Sequence, residues 1–182
     1  MFPELYTERL LLRRILPSDA PTVLKGYSDP AVYQFMSVQY HNPTDVQTQM
    51  DWYETMLTAE TGIWWGICKK DTGEMIGNGG FHNWEKKHRC AELGYWILPT
   101  YHRRGYASEA IQAMVNQAFR NMNIHRVEAI VEAENKASGD LLIKNGFRLE
   151  GTRRECEWVK DKFIDLQIFA KLEFEKQYKQ NA

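Results

Sequence analysis

Leu98-Pro99-Thr100-Tyr101-His102-Arg103-Arg104-Gly105-Tyr106-Ala107-Ser108-Glu109-Ala110 is the stretch on which the fold turns. A strand ends near Leu98, a short loop follows, and the chain swings on Gly105 straight into a long helix. Such a turn presents a run of backbone N–H groups at the positive end of a helix dipole, which suits a bound anion. Gly105 lets a phosphate approach the main chain with no Cβ in the way. Arg103 and Arg104 add positive charge beside it. The same residues also read as a plain strand-to-helix connection with two solvated arginines, and the segment alone does not choose. Other phosphate loops fit worse: GxxxxGK[ST] is absent, and GxGxxG needs more than the one glycine here.

Toward the C-terminus, Ala107, Ala110, Ile111, Met114, Val115 and Ala118 recur at helical spacing and predict an amphipathic helix from Gly105 to about Met122. His125 to Glu132 reads as a strand. A short helix from about Lys136 to Asn145 ends at Gly146, a good C-cap residue. Phe147 to Val159 and Phe163 to Leu172 read as strands around a Lys160-Asp161-Lys162 turn. The charged tail from Glu173 is expected to be loose.

Toward the N-terminus, Cys90 to Leu98 is the strand that feeds the loop, and Lys86 to Arg89 in the polar loop before it reads as a solvated hairpin tip. Ile63 to Lys69 and Met75 to Asn83 pair around an Asp71-Thr72-Gly73-Glu74 turn. Asn42-Pro43-Thr44 opens a helix over Asp45 to Ala59, and a second helical patch starts near Pro30. Ser18-Asp19 caps a helix to about Tyr27, and Arg9 to Arg14 is the first strand. The order β-α-α-α-β-β-β-α-β-α-β-β predicts an α+β fold around a mostly antiparallel mixed sheet. The crossover from Cys90 to Glu132 supplies one parallel pair in its middle. With no repeat, linker or low-complexity tract, residues 1–182 read as a single domain.

Composition narrows the class. The 182 residues are 43% hydrophobic and 26% charged, with a formal net charge of −1. That balance gives no reason to expect nucleic acid or an anionic membrane as partner. The N-terminus lacks a secretory pattern, and no apolar run approaches a membrane span, so a cytoplasmic location is expected. Cys68, Cys90 and Cys156 form no CxxC pair and read as free thiols, with Cys68 as core filler. The five histidines show no ligand spacing, so no metal is expected. A GxSxG elbow is absent, which argues against a hydrolase.

Arg103-Arg104-Gly105-Tyr106-Ala107, after Glu92-Leu93-Gly94-Tyr95-Trp96-Ile97 and before Glu109-Ala110, resembles the acetyl-CoA signature Q/R-x-x-G-x-G/A of the GNAT acetyltransferases. The first position of that signature is His102 here, a departure from the pattern. Glu-Leu-Gly-Tyr-Trp-Ile resembles the RimJ/RimL branch, which includes ribosomal-protein N-terminal acetyltransferases. Glu134-Asn135-Lys136-Ala137-Ser138 and Asn145-Gly146-Phe147-Arg148-Leu149-Glu150-Gly151 are similar to it too. The resemblance implies the GNAT (acyl-CoA N-acyltransferase) fold, with helices on both faces of the sheet and a central parallel pair that splays apart. Acetyl-CoA is then the co-substrate. Its pantetheine arm is implied to lie along Trp96, Ile97 and Leu98 as a pseudo-strand. Its pyrophosphate is implied to sit over the N–H groups of Arg103, Arg104, Gly105, Tyr106, Ala107 and Ser108. Asn135 matches the asparagine that bonds the cofactor from across the splay, and it also reads as an N-cap.

Acetyl transfer needs a neutral amine, a thioester held close and protonation of the leaving thiolate. Ser138 matches the serine that RimL-type enzymes place to protonate the departing thiolate; it also reads as a first-turn helix hydroxyl. Glu157 falls where that branch has a carboxylate able to take the amine proton through water, and it equally fits the solvent side of a strand. Glu92 lies on the cofactor-binding strand, where GNAT enzymes often have a water-mediated base; a salt bridge is the other account. The tyrosine that many GNAT enzymes carry in the helix before Gly146 is Leu142 here.

The implied acceptor is an amine, either a protein N-terminus or a small amine such as a polyamine or antibiotic. Trp64, Trp65, Phe81, Trp84 and Tyr33 are candidates to line its cleft, or are core packing. A non-catalytic acyl-CoA-binding module is the rival class, and a homodimer is left open.

Overall fold

Two periodicities organise the chain. Alternating side chains build eight strands: β1 Leu5–Tyr6, β2 Leu10–Arg14, β3 Ile63–Lys69, β4 Met75–Glu85, β5 Cys90–Ile97, β6 Arg126–Glu132, β7 Arg148–Val159 and β8 Lys162–Leu172. Helical repeats build α1 Ala20–Ser28, α2 Pro30–Tyr33, α3 Pro43–Ala59, α4 Tyr106–Asn121 and α5 Lys136–Lys144. The computed structural model describes residues 2–36 and 38–174.

The strands form one sheet in the order β1-β2-β3-β4-β5-β6-β8-β7, antiparallel everywhere except between β5 and β6. Helices α1 to α3 cover one face, where Val23, Tyr27, Tyr53 and Met56 pack with Trp64 and Trp96. Helices α4 and α5 cover the other, where Ile111, Met114 and Leu142 pack in one core with Trp65, Leu93 and Ile97. Fully buried side chains such as Met114 and Trp65 contribute about 1.5–3 kcal/mol each to holding those layers together.

Element order follows the sequence expectation, with small differences that have local causes. The two-residue strand β1 is added at the sheet edge, paired through Leu5 and Tyr6 to β2; it is too short to show periodicity. Asp19 does not cap α1 with its side chain. Its carboxylate instead accepts from the Leu16 N–H and pairs with Arg13. Arg89 is not merely solvated: its Nε donates to the Asn123 carbonyl, and its own carbonyl accepts from His125 and Arg126. Most of the tail expected to be loose, residues 175–182, lies outside the described residues. Among the described residues no helix is long and apolar enough to cross a membrane.

One feature of the sheet positions the candidate site. The parallel ladder has three rungs, Cys90 with Arg126, Ala91 with Val127 and Glu92 with Glu128. Beyond it β5 stays paired to β4 as far as Ile97, and β6 stays paired to β8 as far as Glu132. The two strands therefore diverge, and their facing edges bound a slot from Leu93 and Ala129 onward.

Candidate active site

Backbone alternation decides which groups line that slot. The Leu98 N–H donates to the Ile76 carbonyl at 2.8 Å, toward β4, and the Leu98 carbonyl accepts from Tyr101. Successive residues of a strand point their N–H and C=O to opposite sides. The main-chain groups of Leu93, Tyr95 and Ile97 therefore face the slot, while those of Trp96 face β4. Of the three residues expected to bond a pantetheine arm, Ile97 faces the slot, Trp96 spends its backbone within the sheet, and Leu98 spends its on Ile76 and the following turn. The Ile97 carbonyl also carries a 2.7 Å bond to His102 Nε2.

At the slot's outer end the chain makes a turn of 3-10 helix, Pro99–Tyr101, and enters α4 through Gly105. Gly105 has φ +83° and Arg103 has φ +58°, both left-handed. A glycine is suited to the first, since a Cβ there would be strained and would also lie 3.2 Å from Arg9 Nη2. No side chain caps α4, so its first-turn N–H groups at Tyr106, Ala107 and Ser108 have no intrahelical acceptor. Arg103 and Arg104 flank this end and are exposed. Glu109 holds the turn down, accepting from Thr7 Oγ1, the Arg9 N–H and Arg9 Nε. Burial raises its pKa, but those bonds and the arginine charge bring it below the ordinary value. The open strand edge, the uncapped helix and the left-handed glycine together suit an extended amide chain in the slot and an anionic group at the start of α4.

Across the slot, α5 is N-capped by Asn135, whose Oδ1 accepts from the Ser138 N–H. Ser138 Oγ lies 2.8 Å from the hydroxyl of Tyr95 on β5. Tyr95 was not singled out in the sequence, because nothing in its spacing joins it to a residue 43 positions later. Burial, partly offset by the Ser138 bond, pushes its pKa up to about 12. The buried Asn145 fixes this helix against α4: its Oδ1 accepts from Ser108 Oγ and Gln112 Nε2, and its Nδ2 donates to Leu141. Ser108, expected near phosphate, thus commits its hydroxyl to the α4–α5 contact.

Glu92 lies on the opposite face of β5, one residue parity removed from Tyr95. It is cross-strand to His82, with Nε2 at 3.5 Å, and accepts from Asn83 Nδ2 at 3.1 Å. Burial pushes its pKa up, but the His82 and Asn83 bonds and the charge of Arg153 outweigh burial and leave it below 4.5. A cavity of about 510 Å³ opens here, lined by Trp52, His82, Trp84, Glu85, Glu92 and Glu128 among others. Its wall includes the last rung of the parallel ladder, so it meets the slot at its apex.

Other expected residues separate from this centre. Glu157 is exposed on the edge strand β7, opposite Ile164 and just past a bulge. Trp65 and Phe81 are fully buried core, and Trp64 is buried with Nε1 on Asn78. Trp84 does line the cavity, while Tyr33 meets the β7–β8 turn, where Lys160 Nζ donates to its carbonyl. Cys68 is buried and its thiol pushed up to about 11, mainly by burial. Among the described residues no group of three His, Cys, Asp or Glu is arranged to hold a metal ion.

Comparison with known proteins identifies the family and the fold. Residues 9–148 match the acetyltransferase (GNAT) domain family. The chain is 35% identical over 173 residues to an uncharacterized N-acetyltransferase of Bacillus subtilis, covering 93% of this chain and 97% of that one. It is 27% identical over 158 residues to the ribosomal protein uS5-alanine N-acetyltransferase of Escherichia coli, covering 83% and 81%. The crystal structure of a GNAT-family acetyltransferase from Bacillus anthracis superposes with a TM-score of 0.84 at 27% identity, covering 96% and 100%. The chain belongs to the GNAT acetyltransferase family and is an acetyl-CoA-dependent N-acetyltransferase.

Proposed function

We propose that this acetyltransferase acetylates the α-amine of a protein or peptide N-terminus, by direct attack of the amine on acetyl-CoA in a ternary complex. The observation that carries this reading is the placement of Glu92. It is an ionised carboxylate in the wall of a cavity that meets the cofactor slot at the apex of the splay. An amine seated there has a proton acceptor on its own side of β5, and Tyr95 with Ser138 lies on the other side. Glu92 takes the ammonium proton, directly or through water, and His82 and Asn83 keep it charged and oriented. Glu157, exposed on the edge strand, is the weaker candidate for this role. Asn135 and the slot-facing groups of Tyr95 and Ile97 hold the cofactor arm, and the start of α4 holds its phosphates.

The choice of α-amine rests on proton cost. An α-amine has a pKa of about 7.8 and a lysine about 10.4, so matching the neutral fraction of the first would cost a lysine about 3.5 kcal/mol. A cavity lined by carboxylates, which favour the charged ammonium, offers little to meet that cost. The similarity to an uS5-alanine N-acetyltransferase points the same way. The three carboxylates Glu85, Glu92 and Glu128 beside Trp52 and Trp84 favour a second reading, a small polycationic amine. Rates on a peptide with a free α-amine, on the same peptide α-blocked with a free lysine, and on spermidine separate these readings.

A further inference from the structure

We propose that Tyr95 is a positioning residue that, through Ser138, forms a two-hydroxyl donor relay for the thiolate leaving acetyl-CoA. The inference rests on the acetyl-transfer reading above. The two oxygens, 2.8 Å apart, tie β5 to the first turn of α5. Tyr95 lies three residues past the last parallel rung, so this bridge spans the slot just beyond its apex. A chain lying along the free edge of Leu93, Tyr95 and Ile97 passes beside it.

Each hydroxyl has one proton, and either can donate to the other. The pKa of Tyr95 is pushed up to about 12, by burial first, and no charged side chain opposes that. It therefore remains a protonated donor through any working pH. With Tyr95 donating to Ser138 Oγ, the serine's own proton is free to point into the slot. Leu142, at the position where many GNAT enzymes carry a tyrosine, is fully buried in the core and offers no donor, so the donor is Ser138 in the first turn of the same helix, backed by Tyr95 from the strand.

Neither hydroxyl is acidic enough to surrender its proton outright to an alkyl thiolate, because a thiol is more acidic than either a serine hydroxyl or a buried phenol. What the pair offers is a charge-assisted hydrogen bond in a partly dry site. The amine lone pair forms the C–N bond, the C–S bond breaks, and sulfur leaves with its electron pair while accepting from Ser138. The ammonium loses one proton before attack and a second as the adduct collapses. One of these protons, or its equivalent from water, ends on sulfur; the other is released to solvent.

The test uses coenzyme A itself, its thiol titrated by thiolate ultraviolet absorbance while bound to wild type, Tyr95→Phe, Ser138→Ala and the double variant. The thiol should be at least tenfold more acidic bound to wild type than free. Ser138→Ala should erase most of that gain, Tyr95→Phe part of it, and the double variant no more than Ser138→Ala. With an amine acceptor, kcat should fall roughly 100-fold in Ser138→Ala, about 10-fold in Tyr95→Phe, and no further in the double variant, at unchanged acetyl-CoA affinity. A bound thiol that titrates as free coenzyme A overturns the relay. So does a Tyr95→Phe variant like wild type, or losses that add. A shifted thiol in a protein that acetylates no amine rejects the acetyl-transfer reading and leaves the relay standing; a chain that binds no coenzyme A rejects both.

Discussion

Glu92 of β5 stands opposite Glu128 of β6 in the last rung of the sheet's one parallel ladder. Two like charges facing each other across a ladder repel, and here each has its own partner. Arg126 Nε donates to Glu128 at 2.6 Å, and Asn83 and His82 hold Glu92. The strands part immediately beyond this pair. A carboxylate is thereby fixed where the cofactor slot and the lateral cavity meet, which is the geometry from which the proposed chemistry is drawn.

The phosphate loop makes the first prediction. Gly105→Glu sets a carboxylate at the uncapped start of α4 and should abolish the rise in Tm that acetyl-CoA causes by binding the folded chain alone. Gly105→Asn, which tolerates φ near +83° without adding charge, should keep binding within about tenfold, a change of ~1.4 kcal/mol. Equal binding by both variants would remove the pyrophosphate from this turn.

Asn135 separates two duties. Asn135→Asp preserves the N-cap acceptor of α5 and should leave Tm nearly unchanged. It loses the amide donor, so acetyl-CoA affinity should fall about tenfold, the ~1.4 kcal/mol of one hydrogen bond. Calorimetric titration reads both effects, and undiminished affinity would reduce Asn135 to a cap.

The pH profile distinguishes enzyme from substrate. Glu92 is held below its ordinary 4.5, so it is ionised throughout the neutral range and contributes no limb there. The fall of kcat/KM with decreasing pH should track the acceptor amine's own pKa and move when the acceptor is exchanged. Glu92→Gln should lower the whole profile by roughly 100-fold without moving that limb. A limb that stays fixed for acceptors of different pKa would assign it to the protein.

Glu109 ties Thr7 and Arg9, between β1 and β2, to the start of α4, and its folded pKa is depressed. Its stabilisation is therefore present above the unfolded pKa and lost as pH falls through the folded one. Glu109→Gln should cost about 1–3 kcal/mol in urea unfolding at pH 7. The gap to wild type should narrow as the pH drops below about 4; a constant gap would show that charge is not what Glu109 supplies.

Element order, the parallel crossover and the helix-entry loop were all legible in the sequence, because the period-two strands, the amphipathic α4 and Gly105 are local signals. What was not legible depends on phase and on distant neighbours. Whether Ile97 or Leu98 faces the slot is decided by the single bond from Leu98 to Ile76. Tyr95 and His82 acquire meaning only once α5 and β5 are beside them. Trp65 and Phe81 are core because β3 and β4 are covered on both faces, where a bulky residue on either side is buried.

The central claim is acetyl transfer to an α-amine, and mass spectrometry of acceptor peptides tests it most directly. One peptide carries a free α-amine and no lysine; its counterpart is α-blocked with a single lysine. Incubated with the protein and acetyl-CoA, the first should gain an acetyl group on its α-nitrogen at least tenfold faster than the second gains one on its lysine, in line with their difference in amine pKa. Equal rates on the two peptides, or acetylation of the lysine alone, would contradict it.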